Sequence, residues 1–263
     1  MNEVLMIPKR TLGSTGIDVS CLGLGTVKLG RNQGVKYPSS FELPDDRHIL
    51  NLLATATELG INLIDTAPAY GISEQRLGEL LRDRQRWVIC TKTGEEFVDG
   101  QSRFDFSATH TRASIHRSLK RLNTDYLDLV LVHSDGRDRE IIEHSDCFET
   151  LARLKEAGNI RAFGLSGKTV EGGLLALQHS DVVMVTFNPD QQEERQVIQQ
   201  ACKLNKGVLI KKAFASGHAV VDSSADPVRS NLQFSLQEPG VSAVVVGTIN
   251  PHHLRDNVRA CLD

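Results

Sequence analysis

Short apolar runs recur along the chain, each closed by a polar residue or a glycine, with stretches of helical spacing between them. The runs predict strands over 20–25, 61–65, 87–92, 127–132, 160–165, 182–187, 207–211 and 241–246. Val182-Val183-Met184-Val185 and Val244-Val245-Val246 are apolar throughout, as parallel strands buried on both faces require. The intervening stretches predict helices over 46–59, 74–83, 108–122, 146–157, 170–178, 191–205, 226–236 and 251–262. In the third of these, Ile115, Leu119 and Leu122 follow i, i+4, i+7 spacing, with Arg117, Lys120 and Arg121 on the other face. Ser73 and Ser107 are N-cap candidates. Asp226-Pro227 and Asn250-Pro251 put a capping side chain ahead of a proline at the first helical position, and Gly60 and Gly158 fall just past helix ends.

Strict alternation of strand and helix predicts an α/β fold, a closed (β/α)₈ TIM barrel occupying residues 1–263 as a single domain. Residues 9–19 predict a short N-terminal β-hairpin before it. Three stretches, 26–45, 93–107 and 212–225, are too long for simple connections. All follow strands, so they belong at the C-terminal mouth of the barrel, where substrate loops lie.

Composition narrows the partners. The 263 residues carry 40% hydrophobic and 24% charged side chains, ordinary for a globular protein. A net charge of −3 and a pI near 6.3 give no basic field for nucleic acid or an anionic membrane. No apolar stretch approaches the ~18 residues of a membrane span, and the N-terminus lacks a basic region leading into a signal-type stretch. The five cysteines are scattered, with no Cys-x-x-Cys pair. That predicts a reducing compartment, taken as the cytoplasm, with neither a disulfide framework nor a bound metal. Oligomeric state leaves no trace in the sequence.

Four polar residues give the chain its candidate chemistry. Asp65, Lys92 and His133 each stand where a predicted strand meets its loop, and Tyr70 lies five residues beyond Asp65. A closed barrel gathers strand ends, so these groups are expected to meet in one pocket. There the Asp65 carboxylate would keep Lys92 charged, and the ammonium would favour phenolate, lowering Tyr70 below its ordinary value. His133 would orient a substrate oxygen while Tyr70 exchanges a proton with it. No side chain supplies a hydride, so such a site implies a nicotinamide cofactor. Alone, each residue has a mundane role as cap, packing group or solvated charge; the conjunction on consecutive strands argues otherwise.

The segment Asp65-Thr66-Ala67-Pro68-Ala69-Tyr70 resembles the Asp-Thr-Ala-x-x-Tyr signature of the aldo-keto reductase superfamily. The likeness extends through Arg10-Thr11-Leu12-Gly13-Ser14-Thr15-Gly16, Leu22-Gly23-Leu24-Gly25-Thr26, Thr91-Lys92, Ser118-Leu119-Lys120-Arg121-Leu122, Asp125-Tyr126-Leu127-Asp128-Leu129, His133, Gly164-Leu165-Ser166 and the stretch from Gly247 to Asn257. It implies a (β/α)₈ barrel that reduces aldehydes or ketones with NAD(P)H, with Asp65, Tyr70, Lys92 and His133 as its catalytic tetrad. It also implies a small-molecule carbonyl substrate.

The cofactor side rests on barrel geometry and the same likeness. Gly247-Thr248-Ile249-Asn250 opening onto Pro251 suits a phosphate at a helix N-terminus, and Lys211 and Lys212 are within reach of a pyrophosphate. Gly25, Thr26, Ser166, His253 and Asn257 complete the expected cofactor contacts. The pattern departs from the family at Gly167 (usually Asn), Met184 (usually Gln) and Lys211 (usually aromatic), and at Gly247 and His253, where many members carry basic residues. These departures let NADH compete, although His253 and Arg255 favour NADP, with NADPH preferred. Many relatives continue past the position of Asp263, so an open pocket walled by 27–45, 94–107 and 213–224 is expected.

Two other readings stay open. One is a Schiff-base lyase using Lys92 or Lys211 as nucleophile; the other is a non-catalytic cofactor-binding or interaction subunit on the same scaffold. Gly-x-Gly-x-x-Gly after a strand, a P-loop, His-Glu-x-x-His and Gly-x-Ser-x-Gly are all absent.

Overall fold

The eight apolar runs pair in parallel with their sequence neighbours and close into a barrel, in a computed structural model that describes residues 5–35, 37, 40–214 and 226–262. In chain order the strands are β1 (Lys9–Thr11), β2 (Asp18–Ser20), β3 (Leu22–Gly25), β4 (Leu63–Asp65), β5 (Val88–Thr93), β6 (Glu95–Val98), β7 (Gln101–Phe104), β8 (Leu127–His133), β9 (Ile160–Ser166), β10 (Val182–Thr186), β11 (Gly207–Lys211) and β12 (Ala243–Gly247). The barrel consists of β3, β4, β5, β8, β9, β10, β11 and β12, with β12 closing on β3. The helices are α1 (Val27–Gly30), α2 (Asp46–Glu58), α3 (Ser73–Leu80), α4 (Ala108–Arg121), α5 (Asp138–His144), α6 (Cys147–Glu156), α7 (Val170–His179), α8 (Arg195–Lys203), α9 (Pro227–Gln237) and α10 (Pro251–Leu262).

Two apolar layers hold this arrangement. Inside the barrel, Leu63, Val88, Cys90, Leu129, Leu131, Ala162, Val182, Met184, Leu209 and Ala243 pack together. The β1–β2 hairpin, predicted over 9–19, drives Leu12, Ile17 and Val19 into the same cluster and closes one end. The outward faces of the strands pack on the helices, with Ile64, Ile89, Val130, Phe163, Val183 and Ile210 meeting residues such as Leu52, Ile115, Leu151 and Ile198. Strands buried on both faces are why the runs are continuously apolar rather than alternating.

Helix starts follow the expected chemistry at Ser107 and Asp226, whose side chains accept from the backbone N–H of His110 and Arg229. Asn250 Oδ1 accepts from His252 N at 2.9 Å at the head of α10. Ser73 is different. It is the first residue of α3, follows an N-cap at Ile72, and places its Oγ 2.8 Å from Thr26 Oγ1 instead of capping the backbone.

Elements not anticipated among the described residues include the hairpin β6–β7 within 93–107, the helix α5, the single turn α1 within 26–45, and the 3₁₀ turns Pro68–Tyr70 and Arg84–Arg86. Asp99 and Gly100, both at positive φ, form the tight turn between β6 and β7. Among the described residues no helix is long and apolar enough to cross a membrane.

Candidate active site

Strand register sets the site. Gly247 pairs with Gly25, Gly25 with Asp65, and Asp65 with Cys90, giving one level near the barrel mouth. Side chains alternate along a strand, so Lys92 points inward like Cys90, and His133 like Leu131 and Leu129. Lys92 pairs in register with Leu131, and His133 with Ser166. The inner face therefore turns from apolar to polar within two residues of the mouth.

Tyr70 reaches this level from a 3₁₀ turn, Pro68–Tyr70, after β4. The turn lies directly against α1. A Cβ at Gly30 would stand 2.4 Å from the Tyr70 carbonyl oxygen and 2.2 Å from Ser73 N, while Gly71 adopts φ +63 with no Cβ to strike the Gly30 carbonyl. Two glycines thus permit the close approach that places the phenol.

Lys92 is almost completely buried and donates to Asp65 Oδ1 at 2.5 Å and to the Thr66 carbonyl at 2.9 Å. Its Nζ lies 4.9 Å from the centre of the Tyr70 ring. Burial alone would lower the lysine, but Asp65 and Tyr70 outweigh it, and Lys92 stays an ammonium as expected. Tyr70 does not follow the expectation. Burial raises it above its ordinary value, and the Lys92 ammonium, pulling the other way, only partly offsets that while Asp65 adds to the rise. The phenol accordingly holds its proton at neutral pH, the form suited to donating to a carbonyl oxygen.

His133 sits edge-on to Tyr70 with ring centres 6.3 Å apart. Its Nδ1 lies 2.7 Å from Glu95 Oε2, on the unanticipated β6–β7 hairpin. Burial works against ionisation of Glu95, yet His133, Ser102 and Arg31 together hold its carboxyl at about 2. Burial lowers His133, and Glu95 only partly restores it. The Asp99-Gly100 turn between Phe97-Val98 and Gln101 was the sequence signal that would have located Glu95 and Ser102. Arg31, Lys28 and Tyr37 also line the cleft; they lie on segments without periodicity, and no pattern marked them.

A cleft of about 1610 Å³ extends from Asp65, Tyr70 and His133 along the ends of β9, β11 and β12 to α10. Of the expected cofactor contacts, Gly25, Ser166, Lys211, Lys212, Gly247, Thr248, His253 and Asn257 line it. Two do not. Thr26 is fully buried with its hydroxyl donating to the Asp65 carbonyl at 2.9 Å, and so braces β4 beneath the mouth; Asn250 is committed to capping α10. Arg255 turns away to pair with Glu58 at 3.0 Å, and Asp256 lines the cleft beside His253. Met184 packs inside the barrel.

Gly167 has a steric reason. A Cβ there would lie 3.0 Å from Asp138 Oδ2, which accepts from the backbone N–H of Lys168 and Thr169. Lys211 donates to Ser166 Oγ at 3.0 Å and to the Gly167 carbonyl at 2.6 Å. Burial draws it down to about 8, against the pull of Glu194 and Asp138.

This lining fits a nicotinamide dinucleotide. Lys211 and Lys212 suit anionic groups, and the head of the twelve-residue α10 offers backbone donors beside Thr248. Glu194 lines the same cleft with Oε1 buried and unpartnered, an acceptor for an amide or hydroxyl donor. Residues 215–224 of the third expected wall lie outside the described residues; Ala213 and Phe214 of that wall line the cleft, as do residues from the other two. No cluster of metal-ligating side chains occurs among the described residues.

Comparison with known proteins places the chain among relatives. The model of the aldo/keto reductase family matches residues 21–220. A crystal structure of a Pseudomonas aeruginosa protein assigned to the aldo-keto reductases is 55% identical, with a TM-score of 0.89, covering 99% of this chain and 97% of that one. A holo-form aldo-keto reductase from Bacillus halodurans is 25% identical with a TM-score of 0.82, covering 97% and 90%. L-galactose dehydrogenase of Arabidopsis thaliana is 28% identical over 294 residues, covering 97% of this chain and 88% of the relative.

Proposed function

The chain belongs to the aldo/keto reductase family, and from that premise we propose that it reduces an aldehyde or ketone to an alcohol, or runs the reverse, with a nicotinamide dinucleotide. The observation that carries this reading is the buried Asp65–Lys92 pair beneath a protonated Tyr70 that opens, with His133, onto the cleft. Bound in the cleft, the nicotinamide supplies or accepts the hydride. In reduction, the Tyr70 hydroxyl donates its proton to the substrate oxygen as negative charge develops there. Lys92 stabilises the phenolate that remains, and Asp65 holds Lys92 in place as a cation. The reverse reaction returns the proton to Tyr70. Ser166, Lys211, Lys212, Thr248, His253 and Asn257 would hold the dinucleotide.

With Arg255 committed to Glu58, His253 and the lysines at the end of β11 are the cations offered to a 2′-phosphate, beside the Asp256 carboxylate. The site therefore suits NADPH and NADH more evenly than the sequence suggested. Pairing with Asp65 removes Lys92 as an amine nucleophile, so a Schiff-base lyase would have to use Lys211, whose Nζ donates to Ser166 Oγ and to the Gly167 carbonyl.

Titration with NADPH and NADH, followed by a carbonyl panel with whichever binds more tightly, tests the reading. Substrate-dependent oxidation of the reduced cofactor is the expected result. Tight binding with no turnover across the panel would favour a non-catalytic cofactor-binding subunit instead.

A further inference from the structure

Arg31 follows α1 directly and lines the cleft together with Tyr70. Backbone carbonyls fix its guanidinium on three sides: Nε donates to Gln33 at 2.8 Å, Nη1 to Ala69 at 3.0 Å and Nη2 to Gly34 at 3.0 Å. Its central carbon lies 3.4 Å over the centre of the Phe97 ring on β6. A fork held in this way has little rotamer freedom left to lose when a ligand binds. Each terminal nitrogen carries two hydrogens and spends one on a carbonyl. One N–H therefore remains on each, the arrangement that meets the two oxygens of a carboxylate.

This cation has no counter-ion among the described residues. Glu95, the acid that acts on it from the hairpin, is engaged elsewhere: its Oε1 accepts from Ser102 at 2.6 Å, and its Oε2 lies against His133. Lys28, three residues earlier, lines the same cleft with Nζ 4.3 Å from the centre of the Tyr37 ring, and it too has no carboxylate partner among the described residues. Burial works against the charge of both side chains. A chain of net charge −3 thus gathers Lys28, Arg31 and Lys168 against Glu95 at this end of its cleft, the Asp65 charge being matched by Lys92. Partly desolvated cations without an anion are costly, and a bound anion relieves that cost.

We propose that Arg31 holds the carboxylate of an oxo acid whose carbonyl group lies at Tyr70, so that the protein acts on acids bearing an aldehyde or ketone in preference to neutral carbonyl compounds. This rests on the carbonyl-reducing reading of the same site. The two groups are close because Nη1 donates to the carbonyl of Ala69, the residue before Tyr70. One positive charge with two N–H groups left matches a monoanion with two oxygens, and Glu95 beside it opposes a dianion such as a phosphate ester. A cofactor phosphate carries related chemistry, but Arg31 is tied to the Tyr70 turn and the β6–β7 hairpin, whereas the phosphate donors stand at the end of β12 and the head of α10.

The test pairs each of a series of ω-oxo acids, from glyoxylate to 6-oxohexanoate, with its methyl ester. In the wild type the ratio of kcat/KM for acid over ester should reach about 10²-fold in at least one pair. The ratio should fall to near one in Arg31→Gln and part of the way in Arg31→Lys, which keeps the charge and loses the fork. Both members of a pair are assayed on one preparation, so a loss of folded protein or a shift of Tyr70 cancels in the ratio. Calorimetric titration of the preferred acid without cofactor should show binding weakened about tenfold or more in Arg31→Gln, while the dissociation constant of NADPH moves by less than about threefold. No preference for any acid, a ratio unchanged by Arg31→Gln, or a loss seen in NADPH binding instead overturns the proposal. Failure of the wild type to reduce any member of the series counts against the carbonyl-reducing reading, and titration with the acids still decides the role of Arg31.

Discussion

Lys92 Nζ lies 2.5 Å from Asp65 Oδ1 beneath the Tyr70 ring, and both side chains are more than nine-tenths buried. Asp65 keeps the buried Lys92 an ammonium, and the pair places a fixed cation beside the phenol. The pair makes the site electrostatically specific, and it also makes each partner dependent on the other.

Lys92→Met strands a buried carboxylate, which costs about 3–5 kcal/mol of stability. Adding Asp65→Asn removes the stranded charge, so the double variant should recover much of that loss in urea or thermal unfolding while remaining inactive. Additive losses in the double variant would show that the pair is not coupled.

The two pH-sensitive groups separate binding from chemistry. Reduction uses protonated Tyr70, and burial raises that group, so its activity is lost only as pH climbs past the ordinary phenol value of about 10. At saturating cofactor, kcat should therefore be flat from pH 7 to about 9. Lys211 titrates at about 8, cationic below and neutral above. Cofactor affinity should weaken across that value, and Lys211→Met should abolish the dependence. A fall in kcat, rather than in affinity, near pH 8 would contradict this division.

Gly30→Ala forces a methyl group against the Tyr70 carbonyl and Ser73 N, both backbone atoms that cannot rotate aside. Moving the turn costs about 1–3 kcal/mol of stability. Because the displaced turn carries Tyr70, kcat/KM should fall by about 10²-fold. An active variant with unchanged melting temperature would show that the turn does not depend on this approach.

Much of this was legible in the sequence because barrel strands are apolar until they reach the mouth. Asp65, Lys92 and His133 end runs such as Leu129–Val132, and that interruption is what marks them. Residues defined by tertiary contact left no such mark. Thr26 reads as a mouth residue yet turns under β4, Arg255 reads as a phosphate ligand yet pairs with Glu58 on another helix, and Tyr70 reads as a lowered phenol because burial is invisible in sequence. The exposed hairpin carrying Glu95 has little apolar alternation, since its cohesion comes from the Asp99-Gly100 turn and from polar contacts such as Glu95 to Ser102.

The central claim is that Tyr70 passes the proton, and the most direct measurement compares Tyr70→Phe with the wild type in both cofactor binding and aldehyde reduction. The substitution should lower kcat/KM by about 10²–10⁴-fold while the dissociation constant of the reduced cofactor moves by less than about threefold. Retained turnover in Tyr70→Phe, or a loss fully explained by weaker cofactor binding, would contradict the account.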